Sequence, residues 1–247
     1  MPKDKRQVAV NRQKKIAKQK AKRKEALRGR NAHPQGVPFE RRFGYTRQEI
    51  RAGEIGLAWV PKGLFGEGIG TVVVTRELPD GVIAAGVFLV DVWCLGVKNA
   101  FLRLFDDEML EQFIADLSKS QTLERVEVAR AAKLIAEAID YARRLDFHPH
   151  RDYGDASVVL HGIDTSRCHD AFVFGREGMP CYASGPHEMF EKSRAVIGHL
   201  EKVCGKGNFH FIIGESLFHP GFDDDFDEDE DSEDEAREDD ARNVGDT

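Results

Sequence analysis

Apolar residues recur along this chain with two periods, and the breaks between them mark out its elements. In Asp106–Leu117, Leu110, Phe113, Ile114 and Leu117 fall at the i, i+3, i+4, i+7 spacing of one helix face. Asp106 and Asp107 stand at its start, where a capping carboxylate and the positive helix end favour anions. A longer helical pattern covers Leu123–Leu145. There Val128, Ala132, Ile135, Ile139, Ala142 and Leu145 form one stripe, Glu124 and Glu127 open it, and Arg143 and Arg144 close it. Tyr45–Glu54 predicts a short helix with Thr46 as its N-cap.

Elsewhere the pattern is that of strands. GIGTVVVTREL, the turn Pro79–Gly81 and VIAAGVFLVDVWCLGV predict a hairpin. Its second strand is apolar almost without interruption, which places it centrally and covered on both faces. Short strands are expected at Ala156–His161, Ala171–Phe174 and Pro180–Ala183, the last two pairing around the turn Gly175–Met179. Pro186 opens a helix that runs through Cys204, with Phe190, Ser193, Ile197 and Leu200 on one face and Gly205 as its stop. Asn208–Gly214 reads as a final strand. Hairpins and helices do not alternate as βαβ units, so the expected class is α+β: a mainly antiparallel sheet with about three packing helices.

Charge changes this picture at both ends. Met1–Asn31 holds 13 Lys and Arg against two acids, a net +11, and Phe222–Thr247 holds 15 acids against two Arg, a net −13. The total of −7 over 247 residues conceals these blocks. Each is too charged and too poor in apolar residues to offset the entropy of folding. The expected organisation is therefore a disordered basic arm over 1–31, one α+β domain over 32–221 and a disordered acidic tail over 222–247. Within the arm, Lys14, Lys18 and Lys22, and likewise Lys20 and Lys24, repeat at i, i+4. Such like-charge pairs oppose a helix until a polyanion neutralises them. Ala32–Phe39 (AHPQGVPF) reads as a linker.

No run approaches the ~20 apolar residues of a membrane span, and no apolar stretch follows the basic N-terminus as a secretory signal would require. The four cysteines (94, 168, 181, 204) show no tight pairing, which fits reduced thiols in a cytoplasm.

Clustered Lys and Arg on a flexible segment neutralise phosphates and release counterions, a source of affinity that needs no base readout. The expected function is thus non-enzymatic association with RNA, the ribosome or DNA through Lys14, Lys15, Lys18, Lys20, Lys22, Arg23, Lys24, Arg28 and Arg30. The tail could compete for the arm or bind a basic protein partner. One alternative is a metal-dependent hydrolase or nuclease centred on Asp91, which alternation places with Val87, Leu89 and Trp93 on an apolar face, and which would need Glu77 or Asp164 as a second carboxylate. Another is a protein-interaction adaptor with merely solvating tails.

Other motifs read as structural. Gly63, Gly66, Gly68 and Gly70 run into a strand with no following Gly-Lys-Ser/Thr, so they form a turn or bulge and not a phosphate loop. His148, His150, Asp152, His161, Asp164, Cys168, His169, Asp170, Cys181 and His187 match no structural-zinc spacing, and no cofactor is expected.

Around VFLVDVWCLGVKNAF, and at FGREGMPCYASGP followed by GKGNFHFIIG, the chain resembles a bacterial domain family of uncharacterised function. The resemblance spans roughly 66–214 and implies no activity and no site residues.

Overall fold

The computed structural model describes residues 14–19, 21–22, 38–185 and 188–213. At its centre lies a five-stranded antiparallel sheet in the order β4-β3-β2-β1-β5. The strands are β1 Glu54–Pro61, β2 Ile69–Leu78, β3 Val82–Asp91, β4 Gly96–Phe105 and β5 Leu123–Val126. The helices are α1 Phe39–Phe43, α2 Arg47–Ala52, α3 Leu64–Glu67, α4 Asp107–Leu117, α5 Val128–Arg144, α6 Tyr153–Ala156 and α7 Phe190–Cys204. Strands β6 Cys181–Ala183 and β7 His210–Ile212 flank α7 and pair in parallel as a separate small sheet. The class is α+β, as the pattern of periods implies.

The β2–β3 hairpin is in continuous register from Leu78↔Val82 to Ile69↔Asp91. Asp80 and Gly81 turn it with φ of 62° and 61°, the doubly left-handed geometry that suits the twist of a tight hairpin and that Asp-Gly adopts readily. Alternation along the strands divides the sheet into two faces. One carries Trp59, Val73, Thr75, Ile83, Val87, Phe101 and Phe105. Helix α4 packs there, its Phe113 ring 5.1 Å from that of Phe105. Helix α5 and the segment Tyr153–Leu160 cover the other face, where Val72, Val74, Ala84, Phe88, Val90, Leu102 and Leu104 are fully buried. With both faces covered, β3 is buried along almost its whole length.

Local signals place the helices. Thr46 and Glu49 form a reciprocal capping box on α2, and the Asp106 side chain accepts from Met109 N at 2.8 Å to start α4.

Arg76 on β2 is a buried cation that binds backbone only. Its Nε donates to Val159 O at 2.8 Å, its Nη1 donates to Gly53 O at 2.7 Å and Arg51 O at 3.0 Å, and its Nη2 reaches His161 O. Those carbonyls belong to the C-terminal ends of α2 and of the 3₁₀ turn Ser157–Leu160, where helix dipoles are negative. The guanidinium thus joins two short helices to the sheet, while burial lowers its pKa.

Several expectations are corrected. The apolar run through Val97 is two strands: β3 stops at Asp91, the chain reverses through Val92–Leu95, and β4 begins at Gly96. The turn is itself buried, with Val92 and Cys94 at 0% exposure, so polarity does not mark it. Leu123–Val126 is not the first turn of the long helix. It pairs with β1 from Ala58↔Val126 to Pro61↔Leu123, satisfying the edge of the sheet. Strand β1 itself was not anticipated, because a bulge between Ile55 and Ala58 breaks its alternation.

Ala156–His161 is the end of α6 and a 3₁₀ turn, with Val159 filling the space over Gly86. Ala171–Phe174 is not a strand, since its rings pack into an aromatic cluster instead. Gly175–Met179 does turn the chain, with Arg176 bridging Met179, but β6 then takes β7 as its partner. Of the helix read from Pro186, residues Phe190–Cys204 are helical and Pro186 lies outside the described residues. Gly214, the acidic tail 222–247 and most of the linker also lie outside them.

Candidate functional site

In the basic arm, residues 14–19 and 21–22 are helical and exposed. Lys14 and Lys18 stand at i, i+4 within the first run and so share one side of it; Lys15 and Lys22 are also helical and exposed. Ile16 is 46% exposed. The remaining arm residues expected to bind phosphate, Lys20, Arg23, Lys24, Arg28 and Arg30, lie outside the described residues.

The three carboxylates of the hydrolase reading are not brought together. Asp91 lies opposite Ile69 and Glu77 opposite Ile83, eight residues further along the same strand pair. At about 3.3 Å per residue that separates them by roughly 26 Å. Glu77 is exposed. Asp164, also exposed, caps a 3₁₀ turn by accepting from Ser166 N (3.1 Å) and Ser166 Oγ (2.6 Å), bonds that lower its pKa.

Asp91 is 4% exposed and organises the β3–β4 turn: its Oδ1 accepts from Trp93 N at 3.0 Å and Cys94 N at 2.8 Å. Burial raises its carboxyl to about 6 against the lowering effect of these bonds and of Lys98. The Lys98 ammonium reaches Glu188 at 3.4 Å. Glu188 also accepts from Tyr182 Oη and Gly185 N, both at 3.0 Å, and pairs with Lys192 at 2.9 Å. Burial would raise Glu188, but these partners hold it near 2. The cluster binds β6, α7 and β4 together, and its donors and acceptors are used by one another.

A cavity of about 570 Å³ lies at the N-terminal end of α5, bounded by Ile55 and Gly56 of β1, the first turn of α5 and the loop 163–170. Asp164, Cys168, His169 and Asp170 from the sequence-level cluster all line it. Among the described residues, however, no three His, Cys, Asp or Glu side chains converge as a metal-ligand set, and His187 lies outside them. The cysteines are unpaired; Cys94 is fully buried, and burial raises its thiol pKa, as it does for Cys181 and Cys204.

Beside that cavity a second, of about 370 Å³, is lined by Phe65, Arg130, Asp170, Ala171, Phe172 and Val173. The Phe65 and Phe172 rings stack with centroids 5.7 Å apart and planes 11° from parallel. Phe174 meets Phe65 edge-on at 6.0 Å and stacks on Tyr141 at 5.4 Å. Lys133 Nζ sits 5.8 Å over the Phe172 ring and donates to the carbonyls of Cys168 and Asp170, which fixes the loop. Arg130 bridges Asp170 (2.6 Å) and Glu124 (3.2 Å).

Phe65 stands on the one-turn helix α3, and Trp93 Nε1 donates to its carbonyl at 2.9 Å. Gly68, at φ 82°, ends that helix with the Trp93 ring where a Cβ would lie. The glycines of 63–70 thus serve a turn, and that turn presents Phe65.

Sequence reasoning missed this aromatic cluster, because its members come from residues 65, 141, 172 and 174. The local signal, Phe172 and Phe174 alternating, is shared with any strand.

No protein-family model, curated protein or solved structure matches the chain. Fold and site define an α+β protein with exposed helical lysines at 14–22 among the described residues and an aromatic surface cavity rimmed by the Arg130–Asp170 pair. Among the described residues no helix is long and apolar enough to cross a membrane.

Proposed function

We propose that this protein associates with nucleic acid without catalysing a reaction on it, using the arm as the phosphate-binding element. The observation that carries this reading is the set of exposed helical lysines Lys14, Lys18 and Lys22. Ammonium groups at i, i+4 on a helix repel one another in water. A polyanion placed along them removes the repulsion and gains counterion release with each phosphate it contacts. The other arm cations add to the same field.

The aromatic cavity rimmed by the Arg130–Asp170 pair is consistent with a nucleic-acid ligand. A hydrolase centred on Asp91 has less support, since its carboxylate is committed to two turn amides and Glu77 lies far along the same strand pair. The acidic tail supplies a competing polyanion on the same chain. Testing the reading requires titration of labelled RNA and duplex DNA with the intact chain and with one lacking residues 1–31. Salt-sensitive binding that disappears with the arm supports it; binding that survives the deletion unchanged refutes it.

A further inference from the structure

We infer that the cavity lined by Phe65 and Phe172 is a stacking site for a base of a single-stranded nucleic acid. This rests on the nucleic-acid reading above and names the part of the ligand that the folded domain recognises.

The cavity combines what a base needs. Its apolar wall is open to solvent: Phe65 is 36% exposed and Val173 71%. The ring of Phe65 belongs to a rigid support, since its carbonyl is held by Trp93 Nε1 and one of its two faces by Phe172, so a base would use the other face. A ring already fixed in place loses little freedom when a flat partner stacks on it. On the rim, the Asp170 carboxylate and the Arg130 guanidinium hold each other at 2.6 Å. Together they present an acceptor and a donor, the complement of a base edge.

Charge argues that the base, and not the phosphate, is what this cavity reads. Arg130 is offset by Asp170 and Glu124, so the cavity has little surplus positive charge to attract a backbone. The arm carries that surplus. Fifteen residues, 23–37, separate the described arm from Pro38, and at about 3.4 Å each they reach up to roughly 50 Å. A strand held by the arm is therefore delivered to the cavity at high effective concentration. Bases within a duplex are stacked on one another, so only an unpaired strand can offer one to Phe65.

The test uses the full chain, oligothymidylate and oligouridylate probes each carrying one 2-aminopurine, and an abasic deoxyribose-phosphate oligomer of equal length. The inference expects quenching of 2-aminopurine on binding, and binding of at least one base-bearing strand about fivefold or more tighter than the abasic one, the lower end of a single stacking contact. Phe65→Leu keeps the apolar packing without the ring. It should melt like wild type, abolish the base-dependent difference and leave abasic binding intact. Phe172→Leu should act in the same direction.

Tighter binding of the uridylate identifies RNA as the source of the base, and tighter binding of the thymidylate identifies DNA. Equal affinity for base-bearing and abasic strands, or an undiminished difference in Phe65→Leu, overturns the stacking site while leaving the arm reading standing. Failure of the intact chain to bind any of the oligomers overturns both.

Discussion

The carboxylate of Asp91 accepts the backbone N–H of Cys94 at 2.8 Å inside a turn that is itself buried. The same oxygen accepts from Trp93, so one side chain serves two amides that water cannot reach. Burial raises the carboxyl from 3.8 to about 6. A folded-state value above the unfolded one means that the neutral form favours the fold. That contribution is complete below about pH 4 and is lost as the pH rises through 6. A two-unit shift corresponds to about 3 kcal/mol.

Asp91→Asn keeps the accepting oxygen without the charge. We expect it to be more stable than wild type at pH 7.5 by up to about 3 kcal/mol, with the gain vanishing toward pH 4. Asp91→Ala leaves both amides unpaired and should cost about 1–3 kcal/mol at pH 5. Denaturant melts across that pH range measure both. A loss of stability in the Asn variant at neutral pH would show that the ionised carboxylate, through Lys98, is what the turn requires.

Arg76 gives a second test. Its guanidinium donates to four carbonyls at the ends of two helical segments and, among the described residues, to no carboxylate. Arg76→Met removes the donors while retaining much of the volume, leaving the buried carbonyl of Val159 unpaired at roughly 1–3 kcal/mol before relaxation, and three part-buried carbonyls at less. We expect a loss of about 3 kcal/mol or more by chemical denaturation, with the largest rise in amide exchange in α2 and Ser157–Leu160. Arg76→Lys should recover only part of it, because a single ammonium cannot span the four acceptors. Wild-type stability in the Met variant would remove Arg76 from its joining role.

Much of this architecture is legible locally. The Thr46 cap, the Asp-Gly turn, the Asp106 cap and the stripe of α5 depend on residues within a few positions of one another, and each is where the pattern puts it. What the pattern misses is decided at long range. Residues 123–126 resemble the start of a helix until the edge of β1 offers them hydrogen bonds. The Asp91 turn is hidden because burial makes its residues as apolar as the strands beside it. Asp91 was legible as a special carboxylate, but its task depends on a reversal that the apolar pattern cannot show. The Phe65–Phe172 contact joins residues more than a hundred positions apart, so neither sequence neighbourhood reveals it.

The acidic tail leads to a prediction about competition. Arm and tail carry +11 and −13 on one chain, and flexible tethers can hold such partners at about millimolar effective concentration. Non-specific duplex binding at physiological salt is itself typically only about 10⁻⁴–10⁻⁶ M. A chain ending at Gly221 should therefore bind labelled RNA and DNA more tightly than the full chain, with a steeper salt dependence, most clearly at low to moderate ionic strength. Equal affinities and equal slopes would show that the tail only solvates.

The arm carries the central claim, and its salt dependence tests that claim most directly. Affinity for one labelled single strand should be measured from about 50 to 200 mM salt with three proteins: the full chain, the chain without residues 1–31, and the full chain with Lys14, Lys18 and Lys22 changed to Glu. Each phosphate contact contributes about 0.7 to the log–log slope for a single strand. We expect the triple variant to lose about two units of slope along with affinity, and the truncated chain to keep little of either. A slope and an affinity that are the same in all three proteins would contradict the account.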